Sequence, residues 1–104
     1  MNALQIYHIC TAASWSQQEH ASFYIHDSLQ DEKFIHCSEE HQIAGVLQRY
    51  FKNQTNLMIL TIDVSRLQPK LKYEMAPIGQ YFPHIYGPIN KDAIMKAKKI
   101  RIAD

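Results

Sequence analysis

The sequence lacks the features that mark membrane, exported or nucleic-acid-coating proteins. Its longest unbroken apolar run, Leu57 to Leu60, falls far short of the roughly 20 residues a bilayer-crossing helix requires. The opening residues, Met1 to Gln5, carry neither the basic start nor the apolar stretch of an export signal,. A cytoplasmic location is therefore expected, with no membrane contact. Cysteine is scarce: Cys10 and Cys37 are the only two. They could pair if their strands are neighbours, but without an export signal they are expected to stay reduced. No C-x-x-C or H-x-x-x-H chelate occurs, so no metal is expected. The net charge of +1 argues against a protein that lives on a phosphate backbone. There is no internal repeat, linker or low-complexity segment. One hundred and four residues make a single domain, 1–104, large enough for a core without staples.

Charge is uneven along the chain. Residues 1–45 carry one base and six acids, and residues 46–104 carry ten bases and four acids, giving net charges of −5 and +6. A solvated mixed surface and a positive lobe facing a phosphate-bearing ligand are both compatible with that pattern.

What is present begins with Leu4–Cys10, a β-branched and aromatic run read as a strand, with Leu4, Ile6, His8 and Cys10 on one face,. His8 is then either a core histidine held by a hydrogen bond or a donor pointing into a cleft at the sheet's end. Ser14-Trp15-Ser16-Gln17 fits a capping box opening a short helix to about His20. Trp15 can plug the core or cover a site at the strand's end. Tyr24-Ile25 is too short to assign. Asp27 or Ser28 caps a further turn reaching Glu32. Phe34–Cys37 reads as a strand, and Ser38, followed by Glu39 and Glu40, as the cap of a helix whose free N–H groups could receive an anion.

That helix places Ile43, Val46, Leu47, Tyr50 and Phe51 on one apolar face, which predicts packing on a sheet,. After a polar turn at 52–56, Leu57–Ile62 reads as a central strand buried on both faces. Asp63 to Leu67 reads as a capped single turn. Leu71–Met75 alternates as a half-exposed strand, with Leu71, Tyr73 and Met75 inward and Lys72 and Glu74 on the other face. Residues 81–88, with two prolines, a glycine and a histidine among aromatics, suggest a rigid loop or broken edge strand,. The tail, 94–102, is preferred as a lysine-studded edge strand after a turn at 90–93, with a terminal helix as the alternative.

Three chemistries can be weighed from these residues. A zinc set from Cys10, His36, Cys37 and His41 or His84 lacks a local chelate. A Cys37–histidine nucleophile rests on a pairing that chance supplies, and Cys37 is read as a packing residue. Two histidines, His8 with His36 or His84, suit general acid and base work near neutrality, as in phosphodiester cleavage.

Ile6-Tyr7-His8-Ile9, Trp15, Phe34-Ile35-His36-Cys37-Ser38, the amphipathic helix, Leu57–Asp63, Tyr73-Glu74 and Phe82-Pro83-His84-Ile85-Tyr86-Gly87-Pro88 together resemble a small bacterial family, domain of unknown function 952. The resemblance spans nearly the whole chain. Lys33 stands where that family usually has glycine, and Ser22 lies near another usual glycine, which leaves the local turn geometry open at both. The pattern is in turn similar to the ADP-ribosyltransferase superfamily, particularly its RNA 2′-phosphotransferase branch. Tyr7-His8 answers that branch's first strand, and Phe34–Ser38 its second element.

The resemblance implies an α+β fold of two small mixed or mostly antiparallel sheets with short helices. It also implies NAD in a cleft between them, as cofactor of an enzyme that transfers ADP-ribose, acts as a phosphotransferase or hydrolyses NAD. His8, His36 and Glu74 would be catalytic, and Trp15, Ser38, His84 and Tyr86 would contact the nucleotide. The third catalytic element stays open between Glu74 and the His84/Tyr86 segment. Glu74 can also be an edge residue paired with Lys72. From a different class comes a non-catalytic module binding a nucleotide or small anion. The expected partner is a small-molecule nucleotide, and the expected assembly a monomer or weak dimer.

Overall fold

In the computed structural model, residues 3–100 are described. The order of elements is β1 (Gln5–Thr11), α1 (Ala12–Gln17), β2 (Phe23–Tyr24), α2 (Asp27–Glu32), β3 (Ile35–His36), a 3-10 turn, α3 (Ile43–Tyr50), β4 (Leu57–Asp63), a second 3-10 turn, β5 (Lys70–Met75), β6 (Tyr81–Tyr86), β7 (Ile89–Asn90), a third 3-10 turn and β8 (Ile94–Ile100). They form sheets β1-β4-β8, β3-β6-β5 and the short pair β2-β7. Every pairing is antiparallel, which is the antiparallel form of the expected fold; the short β2-β7 pair is a sheet beyond the two expected.

β4 is central to its sheet as expected, but only one of its faces is buried throughout, Met58, Leu60 and Ile62 being buried while Ile59 and Thr61 opposite are half-buried; the lysines of β8 line an exposed edge,. The last two residues of the expected tail strand, 101 and 102, lie outside the described residues. The two larger sheets meet where Tyr7 and Ser38 exchange backbone hydrogen bonds of 2.8 and 2.7 Å. Behind this junction Ile6, Tyr24, Ile35, Leu60, Ile62 and Ile85 pack as one core with no solvent exposure. Their burial is the main favourable term for folding.

Several local expectations are corrected. Thr11, not Ser14, caps α1, its hydroxyl accepting the Ser14 N–H. His26 caps α2 through its ring nitrogen, ahead of Asp27 and Ser28. Ser38 is taken by the bridge to Tyr7, so the cap moves to Glu39. Glu39 and Gln42 form a capping box, with the Gln42 amide oxygen accepting the Glu39 N–H at 3.0 Å and the Gln42 N–H donating to the Glu39 carbonyl at 2.9 Å. The Glu39 carboxylate occupies the terminus an external anion would use.

No residue of α3 is fully buried, and Tyr50 is 61% exposed; its apolar stripe covers the domain only in part. Met75, expected inward, is 56% exposed near the end of β5. The 81–88 segment contains a regular strand, β6, central to its sheet rather than a loop or a broken edge. Pro83 is tolerated there because its carbonyl faces β3 and accepts the Cys37 N–H at 3.0 Å. Its missing N–H faces the same side, just where β3 leaves for β1.

Candidate functional site

Register builds the site. Ile35, Ile85 and Leu71 are cross-strand partners on the inner face, so their neighbours His36, His84 and Lys72 form a row on the outer face,. Two residues away along each strand, the same alternation brings Phe34, Tyr86 and Glu74 to that face. Side chains complete what the backbone sets. His84 Nδ1 lies 2.7 Å from Glu74 Oε1, and the Tyr86 hydroxyl donates to the same oxygen. A carboxylate is an acceptor, so His84 carries its proton on Nδ1 and keeps Nε2 for other partners. The Phe34 ring stacks on His84 with centroids 3.9 Å apart, which leaves His84 only 8% exposed. His36 stands edge-on to His84 at 5.4 Å and meets Glu32 through Nε2 at 2.9 Å. The Lys72 ammonium lies 5.0 Å from the Tyr86 ring centre,.

The two donors on Glu74, first Tyr86 and then His84, hold its carboxyl below the ordinary carboxylate range,. It is thus an anion fixed in place, with its second oxygen free of partners among the described residues. The same contact pushes the Tyr86 phenol up, keeping it a donor.

His8 belongs to a different environment. It is 2% exposed. Nδ1 donates to the His36 carbonyl at 2.6 Å, and Nε2, left as acceptor, faces the Tyr24 hydroxyl at 3.3 Å. Tyr24 in turn meets the Ser14 hydroxyl at 3.4 Å. Burial, opposed in part by the bond to His36, lowers the His8 pKa to about 3, so the ring is neutral. His8 therefore holds the backbone of β3 from behind, and its ring shares no contact with His84 or Glu74. Trp15 lies beside Tyr24, ring centres 6.0 Å apart, with the Lys91 ammonium 4.8 Å above it. Ser38 is buried at the β1–β3 junction.

Of the residues singled out from sequence, then, His36, Glu74, His84 and Tyr86 come together, while His8, Trp15 and Ser38 do not join them. Sequence reasoning missed Phe34 and Glu32. Strand alternation alone puts Phe34 on the face of His36. It also missed His26, whose ring lies 4.9 Å from that of His8 and whose pKa burial lowers; its Nδ1 accepts the Ser28 N–H at 3.1 Å, leaving Nε2–H as a donor. No group of three or more metal-ligating side chains occurs among the described residues.

An antiparallel α+β chain carrying a carboxylate–imidazole–phenol cluster on one sheet face is the class these features define. The family model described as "Protein of unknown function (DUF952)" matches residues 9–97, and the chain belongs to that family. It is similar to protein CC0527 from Caulobacter crescentus, whose crystal structure superposes with a TM-score of 0.86 at 25% identity, over 95% of this chain and 88% of that one. The solution structure of CC0527 gives 0.82 at 24% identity, over 97% and 88%. No match is found among curated proteins.

Proposed function

We propose that this chain handles NAD or ADP-ribose on the outer face of the β3-β6-β5 sheet, with Glu74 as the central group. The observation that carries this reading is the Glu74 carboxylate, ionised and fixed by His84 and Tyr86, with one oxygen left open. Breaking the nicotinamide–ribose bond sends its electron pair to the nicotinamide nitrogen and leaves positive charge on the sugar. A preorganised anion stabilises that charge more than it stabilises the substrate. Water or an acceptor hydroxyl then bonds to the sugar carbon and gives up a proton to His36, whose other ring nitrogen is paired with Glu32,. In this scheme His8 positions β3 and does not touch the ligand. The similarity of the Phe34–Ser38 motif to the ADP-ribosyltransferase superfamily supports this reading through His36 alone, since His8 and Ser38 do not reach this face,.

Lys72 and His36 on that face favour a second reading, a non-catalytic module for a nucleotide or small anion. Calorimetry with NAD and with ADP-ribose, paired with a nicotinamide-release assay, separates the two. The first reading expects release that falls about a hundredfold or more in Glu74→Gln with binding retained. Binding without release favours the second, and neither binding nor release contradicts both.

A further inference from the structure

Away from Glu74, a groove of about 600 Å³ is lined by Gly45 and Arg49 of α3 together with Glu39, Gln42, Tyr73 and Tyr81. Its volume is in the range of small-molecule sites, about 300–1,000 Å³. Gly45 is the informative residue. Inside a helix glycine costs about 1 kcal/mol relative to alanine, and Gly45 does not have the positive φ that would demand it. What it supplies is room: a Cβ at this position would lie 2.8 Å from Arg49 Nη1 and 3.3 Å from Nη2. The guanidinium thus folds back onto bare helix backbone at the groove wall. Among the described residues it has no carboxylate partner.

The same groove contains a fixed anion. Glu39 accepts the Tyr73 hydroxyl at 2.8 Å, and its other oxygen lies 3.8 Å from Nδ1 of His41, which also lines the groove. Gln42, 5% exposed, is itself locked, its amide donating to the Tyr81 carbonyl at 2.8 Å and accepting the Glu39 N–H at 3.0 Å. Arg49 and Glu39 therefore face one space without neutralising each other. A phosphate dianion would be repelled by Glu39, and a simple cation by Arg49. A ligand with both a carboxylate and an ammonium satisfies both groups.

We propose that this groove binds a free α-amino acid, its carboxylate on Arg49 and its ammonium on Glu39, at a site separate from the Glu74 face. The test is to titrate each of the twenty common L-amino acids into the full chain by calorimetry and thermal shift, then the N-acetyl and carboxamide derivatives of the tightest binder. At least one amino acid is expected to bind, and blocking either end should weaken it about tenfold or more. Arg49→Ala should lose binding. Gly45→Ala is the discriminating variant: it should melt at the same or a higher temperature yet bind about tenfold more weakly, because the methyl group displaces the guanidinium. No binding by any amino acid, undiminished binding of the blocked derivatives, or unchanged affinity in Gly45→Ala and Arg49→Ala would overturn the proposal. NAD titration of the same variants reports on the Glu74 face independently.

Discussion

At the scale of single residues the histidines divide by environment. His36 and His84 stand beside carboxylates on an outer face, while His8 is sealed in the core with both ring nitrogens occupied. A buried neutral histidine links stability to pH. Because the folded pKa lies near 3 and the ordinary value is 6.5, the unfolded chain binds the extra proton between those limits. Stability from this group is complete above about pH 6.5 and drains away as pH falls toward 3, on the order of 5 kcal/mol over the whole window. That is a large share of the roughly 5–15 kcal/mol a domain commands. Urea unfolding of the parent should therefore weaken steeply from pH 6.5 to pH 4. His8→Gln, whose amide can still reach the His36 carbonyl, should start less stable and show a shallower slope. Equal slopes would mean that His8 titrates normally. Glu74 acts in the same direction at lower pH, its contribution present above the unfolded carboxyl pKa and lost as pH falls through the depressed one,.

Among the elements, the junction of α2 with β3 shows how a turn constrains the site. Lys33 ends α2 in the left-handed region at φ 76°, a conformation costing a residue with a β-carbon about 1 kcal/mol. Lys33→Gly should therefore stabilise the fold by roughly 0.5 kcal/mol, glycine's greater freedom when unfolded offsetting part of the gain. Lys33→Ala, which keeps the β-carbon, should give no such gain; a chemical-denaturation series reads the difference. The glycine that the resemblance leads one to expect at this position suits that backbone,. At Ser22, by contrast, the backbone has no positive φ. Elsewhere Asn90, 3% exposed, ties β7 to the turn after β4, accepting the Gln68 N–H and donating to the Arg66 carbonyl, both at 2.9 Å. Asn90→Ala should cost about 2–3 kcal/mol in urea unfolding by leaving buried groups unpaired. A loss below about 0.5 kcal/mol would show that water replaces the amide.

β1, β4 and the capped turn after β4 were legible because their signals are local: a β-branched run, an apolar run, and an aspartate two residues before the N–H it caps. β6 was not, because tolerance of Pro83 depends on where β3 ends, a fact of pairing between distant segments. The same holds for the site. His36, Glu74, His84 and Tyr86 could be named from composition and motif. That His84 and Tyr86 share one oxygen of Glu74, and that His8 stays behind the sheet, depends on a register no local pattern carries.

For the molecule as a whole, two antiparallel sheets joined at Tyr7 and Ser38 hold one polar cluster on an outer face and a separate groove beside α3. No described helix is long and apolar enough to cross a membrane. The core beneath the cluster is continuous across both sheets, so conservative changes on the outer face should leave folding intact and report on chemistry. The most direct measurement is nicotinamide release from NAD by the parent and by Glu74→Gln, matched for melting temperature and followed alongside calorimetric NAD binding. Release by the parent is expected, with a fall of about a hundredfold or more in the variant and NAD affinity within about threefold of the parent. Equal release by the two proteins would contradict the role given to Glu74, as would a parent that neither binds nor cleaves NAD.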